Sequence, residues 1–158
     1  VSDSGLRILD IGTPANPLYA GGCLTECEAL GLAISGRYAF IADSAGDLQV
    51  ADISDPASPV LVGMCDVGRE ALSLAVHGDL LYVADVSDGL VVVDITDPAN
   101  PVRVNAVTTA AEATDVVVNG DLAFVVSVDV EGPPPIDSYL QVFDIDDTIT
   151  PGHRTDVT

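Results

Sequence analysis

Short apolar runs alternate with turn-forming residues along the chain. Residues 60–95 show the pattern: VLVGM at Val60–Met64, ALSLAV at Ala71–Val76, LLYVA at Leu80–Ala84 and LVVVDI at Leu90–Ile95. Runs this short and this rich in Val, Leu and Ile predict strands, because a helix needs about ten or more residues with a 3.6-residue period. The breaks between them are His77-Gly78-Asp79, Ser87-Asp88-Gly89 and Asp97-Pro98-Ala99-Asn100-Pro101, all turn chemistry. The triplets Ser35–Arg37, His77–Asp79 and Asn119–Asp121 each place glycine where a tight hairpin needs a positive φ. Pro56 and Pro59 fix φ and lack an N–H, so the segment holding them must be a connection. Asp55 and Asp97 can accept bonds from their own backbone and hold such a turn. Along Ala71–His77, Leu72, Leu74 and Val76 face one way and Ser73, Ala75 and His77 the other. The next run is apolar on both faces, Leu81 and Val83 against Leu80 and Tyr82. A strand of that kind is covered on both sides, so each sheet is expected to lie between two others.

The pattern repeats. Asp10-Ile11, Asp52-Ile53 and Asp94-Ile95 are 42 residues apart, as are Gly36, Gly78 and Gly120, and Pro17, Pro59 and Pro101. The fourth copy, Asp144-Ile145, follows Asp94 by 50 residues, eight more than the period, which places an insertion between Ser127 and Leu140. Four strands per unit, joined by tight hairpins and stacked sheet on sheet, predict an all-β fold: a β-propeller of four-stranded antiparallel blades. A β-helix would need shorter turns of parallel strands, and an immunoglobulin-type sandwich would not repeat with this period. The expected division is a partial blade over 1–22 and blades over about 23–64, 65–106 and 107–158, with the insertion near 129–138. A closed propeller uses roughly four to eight blades, and an open half-ring leaves sheet edges and apolar faces bare. These three and a half blades are therefore expected to be one segment of a longer propeller. The remaining blades of the same protein, or a second copy, would close the ring.

Residues Gly78–Val102, GDLLYVADVSDGLVVVDITDPANPV, resemble the LVIVD-repeat family of β-propellers. The resemblance runs from Ser4 to about Pro151. It implies a secreted or cell-surface bacterial or archaeal protein, and it carries no catalytic motif to transfer.

Charge narrows the partners. The formal net charge is -20, from 25 Asp+Glu against 5 Lys+Arg, and all the basic residues are arginine. Phosphate binding needs a positive field, so nucleic acid and anionic membrane are poor partners. A solvated surface, a salt-adapted source and cation binding each fit the acidity. No apolar run reaches the length of a membrane-spanning helix, so no membrane insertion is expected. No N-terminal signal pattern is visible, and the chain opens on Val1 in mid-pattern, so a leader is expected to have been removed or never included. Cys23 and Cys27 are too sparse for a zinc site without a second pair or nearby histidines. A local disulfide and idle thiols remain open alternatives for them, and Cys65 stands alone. None of the G-x-S-x-G, H-E-x-x-H or phosphate-loop signatures occurs.

Two features mark candidate sites. Glu28, Glu70 and Glu112 recur every 42 residues at the start of the inner strand, and Asp43 and Asp85 end the third apolar run on the same expected face; Ser127 replaces the aspartate in the next copy. A ring of carboxylates at a channel mouth suits a hard cation such as calcium. The same residues suit a structural role, since each repeat needs the same turn held, and the spacing matches no EF-hand loop. Arg69, beside Glu70, could pair with that ring. The second feature is the insertion, with Asp129, Glu131, Pro133, Pro134, Pro135 and Asp137 as candidate binding-loop residues. The expected function is a non-enzymatic extracellular or cell-surface scaffold for a protein or glycan ligand. The alternative is a calcium-dependent propeller enzyme or a calcium-stabilised module; no other cofactor is expected.

Overall fold

The computed structural model describes residues 5–130, 137–145 and 151–157. Among these residues every regular element is a strand: β1 (Gly5–Asp10), β2 (Leu18–Leu24), β3 (Ala29–Ser35), β4 (Tyr38–Asp43), β5 (Asp47–Asp52), β6 (Val60–Asp66), β7 (Ala71–His77), β8 (Leu80–Asp85), β9 (Gly89–Asp94), β10 (Val102–Val107), β11 (Glu112–Asn119), β12 (Leu122–Val128), β13 (Ser138–Asp144) and β14 (Gly152–Val157). They form a two-stranded sheet, β1-β2, and three four-stranded antiparallel sheets, β3-β4-β5-β6, β7-β8-β9-β10 and β11-β12-β13-β14. We call these sheets I to IV. Each four-stranded sheet is a plain meander. Two-residue turns close its first hairpin, with Gly36, Gly78 and Gly120 at φ of 57°, 59° and 58°, as the glycine triplets require.

The apolar alternation decides how the sheets stack. In β8, Leu81 and Val83 enter the core shared with sheet II, against Phe40, Ala42 and Val50. Tyr82 and Ala84 enter the core shared with sheet IV, against Val116, Val125 and Phe143. One strand thus serves two cores, the doubly covered arrangement that its apolar faces predict. Each large apolar side chain buried this way stabilises the fold by roughly 1.5–3 kcal/mol. Sheet I covers the outer part of sheet II, with Leu6 and Ile8 on Ala39, Ile41 and Ala51.

The first strands lie together: β7 packs against both β3 and β11, whereas the outermost strands β6 and β10 touch only marginally. The sheets therefore splay from their first strands like blades of a fan, and they do not merge into a barrel. Among the described residues, sheet IV departs from the period in its second hairpin. There β12 and β13 pair from Leu122–Asp144 to Val128–Ser138, and Asp129 N donates to Asp137 O at 2.9 Å. The ladder thus continues undisturbed through the described residues on either side of the insertion.

Candidate functional site

Asp43 and Asp85 end β4 and β8, and both are fully buried. A buried carboxylate must be surrounded by donors, and here the backbone supplies them. Asp85 Oδ1 accepts the N–H groups of Ser87 at 2.8 Å and Asp88 at 2.7 Å, which closes the β8–β9 turn. Its Oδ2 accepts those of Arg69 and Glu70, both at 2.9 Å, which ties down the connection arriving from sheet II. Asp43 does the same for its own turn, accepting from Ala45 N at 2.9 Å and Asp47 N at 3.1 Å. Its Oδ2 takes the side-chain amide of buried Gln49 at 2.8 Å. In sheet IV, where Ser127 stands in place of aspartate, the acceptor comes from the neighbouring strand: Gln141 Oε1 takes Ala110 N at 2.8 Å and Ser127 Oγ at 3.4 Å. Sequence reasoning missed Gln49 and Gln141. Their signal was a lone polar residue inside an apolar strand, Leu-Gln-Val, at the same place in two repeats.

The glutamates reach the same ends of the sheets. Glu28 immediately precedes β3, Glu70 immediately precedes β7, and Glu112 opens β11. Glu28 O accepts Ser44 N at 2.9 Å and Glu70 O accepts Val86 N at 3.2 Å, so it is their backbone that joins the inner strand to the hairpin. The side chains of Glu28 and Glu70 are exposed and that of Glu112 is half-buried. Each sheet brings its glutamate and its aspartate or serine to one end. Among the described residues, however, no three His, Cys, Asp or Glu side chains converge as a metal centre requires. The Arg69 side chain is exposed, and this residue contributes its backbone N–H.

A second arginine, also missed, does bridge this end. Arg103 Nη2 meets Asp88 Oδ2 at 2.6 Å, and Nη1 donates to Val67 O at 3.2 Å, so an outer strand of sheet III holds both its own turn and the connection from sheet II. The surroundings are otherwise acidic. Burial, followed by the charges of Asp43, Asp66 and Glu26, pushes the Asp47 carboxyl up from its ordinary range. Asp129 and Asp137 sit at the base of the lengthened hairpin. Glu131, Pro133, Pro134 and Pro135 lie outside the described residues.

A model of the LVIVD repeat matches residues 1–25, 28–67 and 68–109. The chain belongs to the LVIVD-repeat family. No protein of curated function matches it in sequence. Among solved structures it is similar to a functionally unknown protein from Desulfotomaculum acetoxidans, with a TM-score of 0.77 and 17% identity over 95% of this chain and 48% of that one. It is also similar to two computationally designed proteins. Ika8 gives a TM-score of 0.72 and 15% identity over 99% of this chain and 44% of that one. Ika4 gives 0.62 and 15% over 84% and 74%. At such identities the likeness is one of fold. The chain spans about half the length of the first two.

The aspartate that closes each LVIVD motif works at the opposite end of the sheet. Asp10 Oδ1 accepts Gly12 N at 2.8 Å, Asp52 accepts Ser54 N at 2.9 Å and Asp94 accepts Thr96 N at 2.8 Å. Hydrogen bonds from Ser54 and Thr96 hold the Asp52 and Asp94 carboxyls below the usual range. Asp55 and Asp97 then fold the proline turn, accepting Ala57 N at 3.0 Å and Ala99 N at 3.1 Å. That turn packs on the preceding sheet at a glycine. A Cβ on Gly21 would lie 2.3 Å from Pro56 O, and one on Gly63 would lie 2.3 Å from Pro98 O. These contacts, also 42 residues apart, lock the outer rims of successive repeats together. Cys23 and Cys65 hold equivalent places opposite Leu6 and Leu48, and with Cys27 they are separate thiols.

Proposed function

We propose that the chain is a non-enzymatic β-propeller module that serves as a structural and binding scaffold outside the cell or on its surface. The observation that carries this reading is the use made of Asp85: four backbone N–H groups occupy its two oxygens. The most conspicuous repeated acid is thereby committed to holding a turn and a sheet-to-sheet connection. The fan of sheets about β3, β7 and β11 supports the propeller geometry. Resemblance to the LVIVD-repeat family supports the extracellular placement. A protein or glycan ligand would meet the end of the sheets where the β12–β13 hairpin is lengthened, since variable loops on a rigid scaffold are where binding concentrates.

One observation favours a second reading, the calcium-stabilised module. The carboxylates of Glu28 and Glu70 lie exposed at the same ends as Asp43 and Asp85, and no described hydrogen bond uses them. Melting curves in calcium and in EDTA separate the two. The scaffold reading predicts superimposable curves. A rise of several degrees in calcium, abolished by Glu70→Gln, would overturn it in favour of the second.

A further inference from the structure

Residues 25–28 carry the chain from sheet I to sheet II, and residues 67–70 carry it from sheet II to sheet III. The later joint is tied from several sides. Asp85 Oδ2 accepts the N–H groups of Arg69 and Glu70, Arg103 Nη1 donates to Val67 O, and Val67 N donates to Gly46 O at 2.9 Å. The earlier joint meets different residues at the same places in the repeat. Gln49 stands where sheet III has Val91, and its side-chain amide donates to Asp43 Oδ2, the counterpart of the oxygen that receives Arg69 and Glu70. Leu61 stands where sheet III has Arg103. The bond described across this joint runs from Ser44 N to Glu28 O, and Thr25 Oγ1 donates to Cys27 O within the joint itself.

Charge widens the contrast. The earlier joint carries Glu26 and Glu28 with no cation, whereas the later one sets Arg69 beside Glu70. Asp47 lies directly opposite Asp66 in the β5–β6 ladder, and like charges so placed repel. Burial raises the Asp47 carboxyl, and the charges of Asp43, Asp66 and Glu26 add to that rise, so the joint's own Glu26 acts on this pair. Sheet III has Gly89 and Thr108 in the places of Asp47 and Asp66, and its Asp88 is met by Arg103 at 2.6 Å.

We propose that the joint between sheets I and II is a hinge controlled by ionic strength. Repulsion between Glu26 and the Asp47–Asp66 pair populates an opened joint when few ions are present, and screening closes it. The joint between sheets II and III stays shut throughout. The Debye length falls from about 30 Å at 0.01 M salt to about 3 Å at 1 M, so salt in this range switches the repulsion on and off. No bound ion is required, because any monovalent salt screens alike.

The N–H groups of Ser44 and Val86 read the two joints in one sample, since each donates to the glutamate carbonyl that closes its joint. Their exchange is followed by NMR on the full chain in EDTA, at about 0.01 M and about 1 M sodium chloride, and again in choline chloride. Rates are taken relative to unstructured peptides of the same local sequences. Protection of Ser44 should rise roughly fivefold or more across this range in either salt, and that of Val86 by less than about twofold. Glu26→Gln, at an exposed position, should give Ser44 at low salt the protection that the parent reaches at high salt. An equal response of the two amides would overturn the proposal, because salt would then be acting on the acidic chain as a whole. So would a Ser44 response to sodium and not to choline, which would mean a cation site, and so would a Glu26→Gln chain with the parent's salt dependence. Each of these failures leaves the scaffold reading to its own calcium and EDTA melting curves.

Discussion

Leu32, Leu74 and Val116 hold the same place in three successive repeats, yet they are 53%, 8% and 3% exposed. The local sequences are alike, and so are the strands that carry them. What differs is the neighbour: sheets III and IV have a complete inner hairpin behind them, and sheet II has the β1-β2 pair. The front of sheet IV repeats the lesson. Val117 is exposed there, whereas Ala33 and Ala75, its equivalents, pack against the next sheet. A repeat of this kind encodes half of each core, and the adjoining repeat encodes the other half.

This contrast can be broken by mutation. The largest effect is expected at the buried carboxylates. Asp85→Ala strips the acceptor from four N–H groups and should cost about 4 kcal/mol in urea unfolding, whereas Glu70→Ala, an exposed neighbour, should cost less than about 1 kcal/mol. Similar costs would refute the assignment of Asp85 as a lock. Next comes the apolar face: Leu74→Ala should cost about 3 kcal/mol and Leu32→Ala about 0.5 kcal/mol. Equal midpoint shifts would mean that sheet II is covered as well as sheet III. Gly63→Ala puts a methyl group against Pro98 O and should cost about 2 kcal/mol. Crystals of Gly63→Ala should show the proline turn displaced.

The smallest effect is electrostatic. Asp52 and Asp94 have depressed carboxyl pKa values, chiefly through bonds from Ser54 and Thr96. What they contribute is present above the unfolded value of about 3.9 and is lost as pH falls through the folded value beneath it. Asp47 acts in the opposite sense, since its raised value means that ionisation disfavours the fold as pH rises past the unfolded value. The double variant Asp52→Asn, Asp94→Asn should therefore melt with a shallower decline below pH 4, an outcome that a pH series of melting curves checks.

Much of the fold was legible because its signals are local. Val, Leu and Ile runs, glycine triplets and proline turns each specify their own few residues, and the 42-residue period assembles them. The two apolar faces of Leu80–Ala84 disclosed the stacking in advance, since no single neighbour could cover both. The candidate site was legible only as positions. That Glu70 and Asp85 share one end followed from hairpin geometry. That Asp85 turns inward to collect N–H groups did not, because two of its donors arrive from a connection 15 and 16 residues earlier. Arg103 escaped for the same reason: its partners Asp88 and Val67 lie in different parts of the chain. Gly21 and Gly63 carried a readable signal, a glycine recurring at the period within a strand, whose cause is the proline turn of the next repeat.

Native-state hydrogen exchange tests most directly whether neighbouring sheets set the stability of each strand. The account predicts that Leu81–Ala84 of β8, covered on both faces, exchange slowest, near the global unfolding limit. Leu6–Leu9 of β1 and Leu30–Ile34 of β3 should exchange through local opening and orders of magnitude faster. Equal protection of β1, β3 and β8 would contradict it.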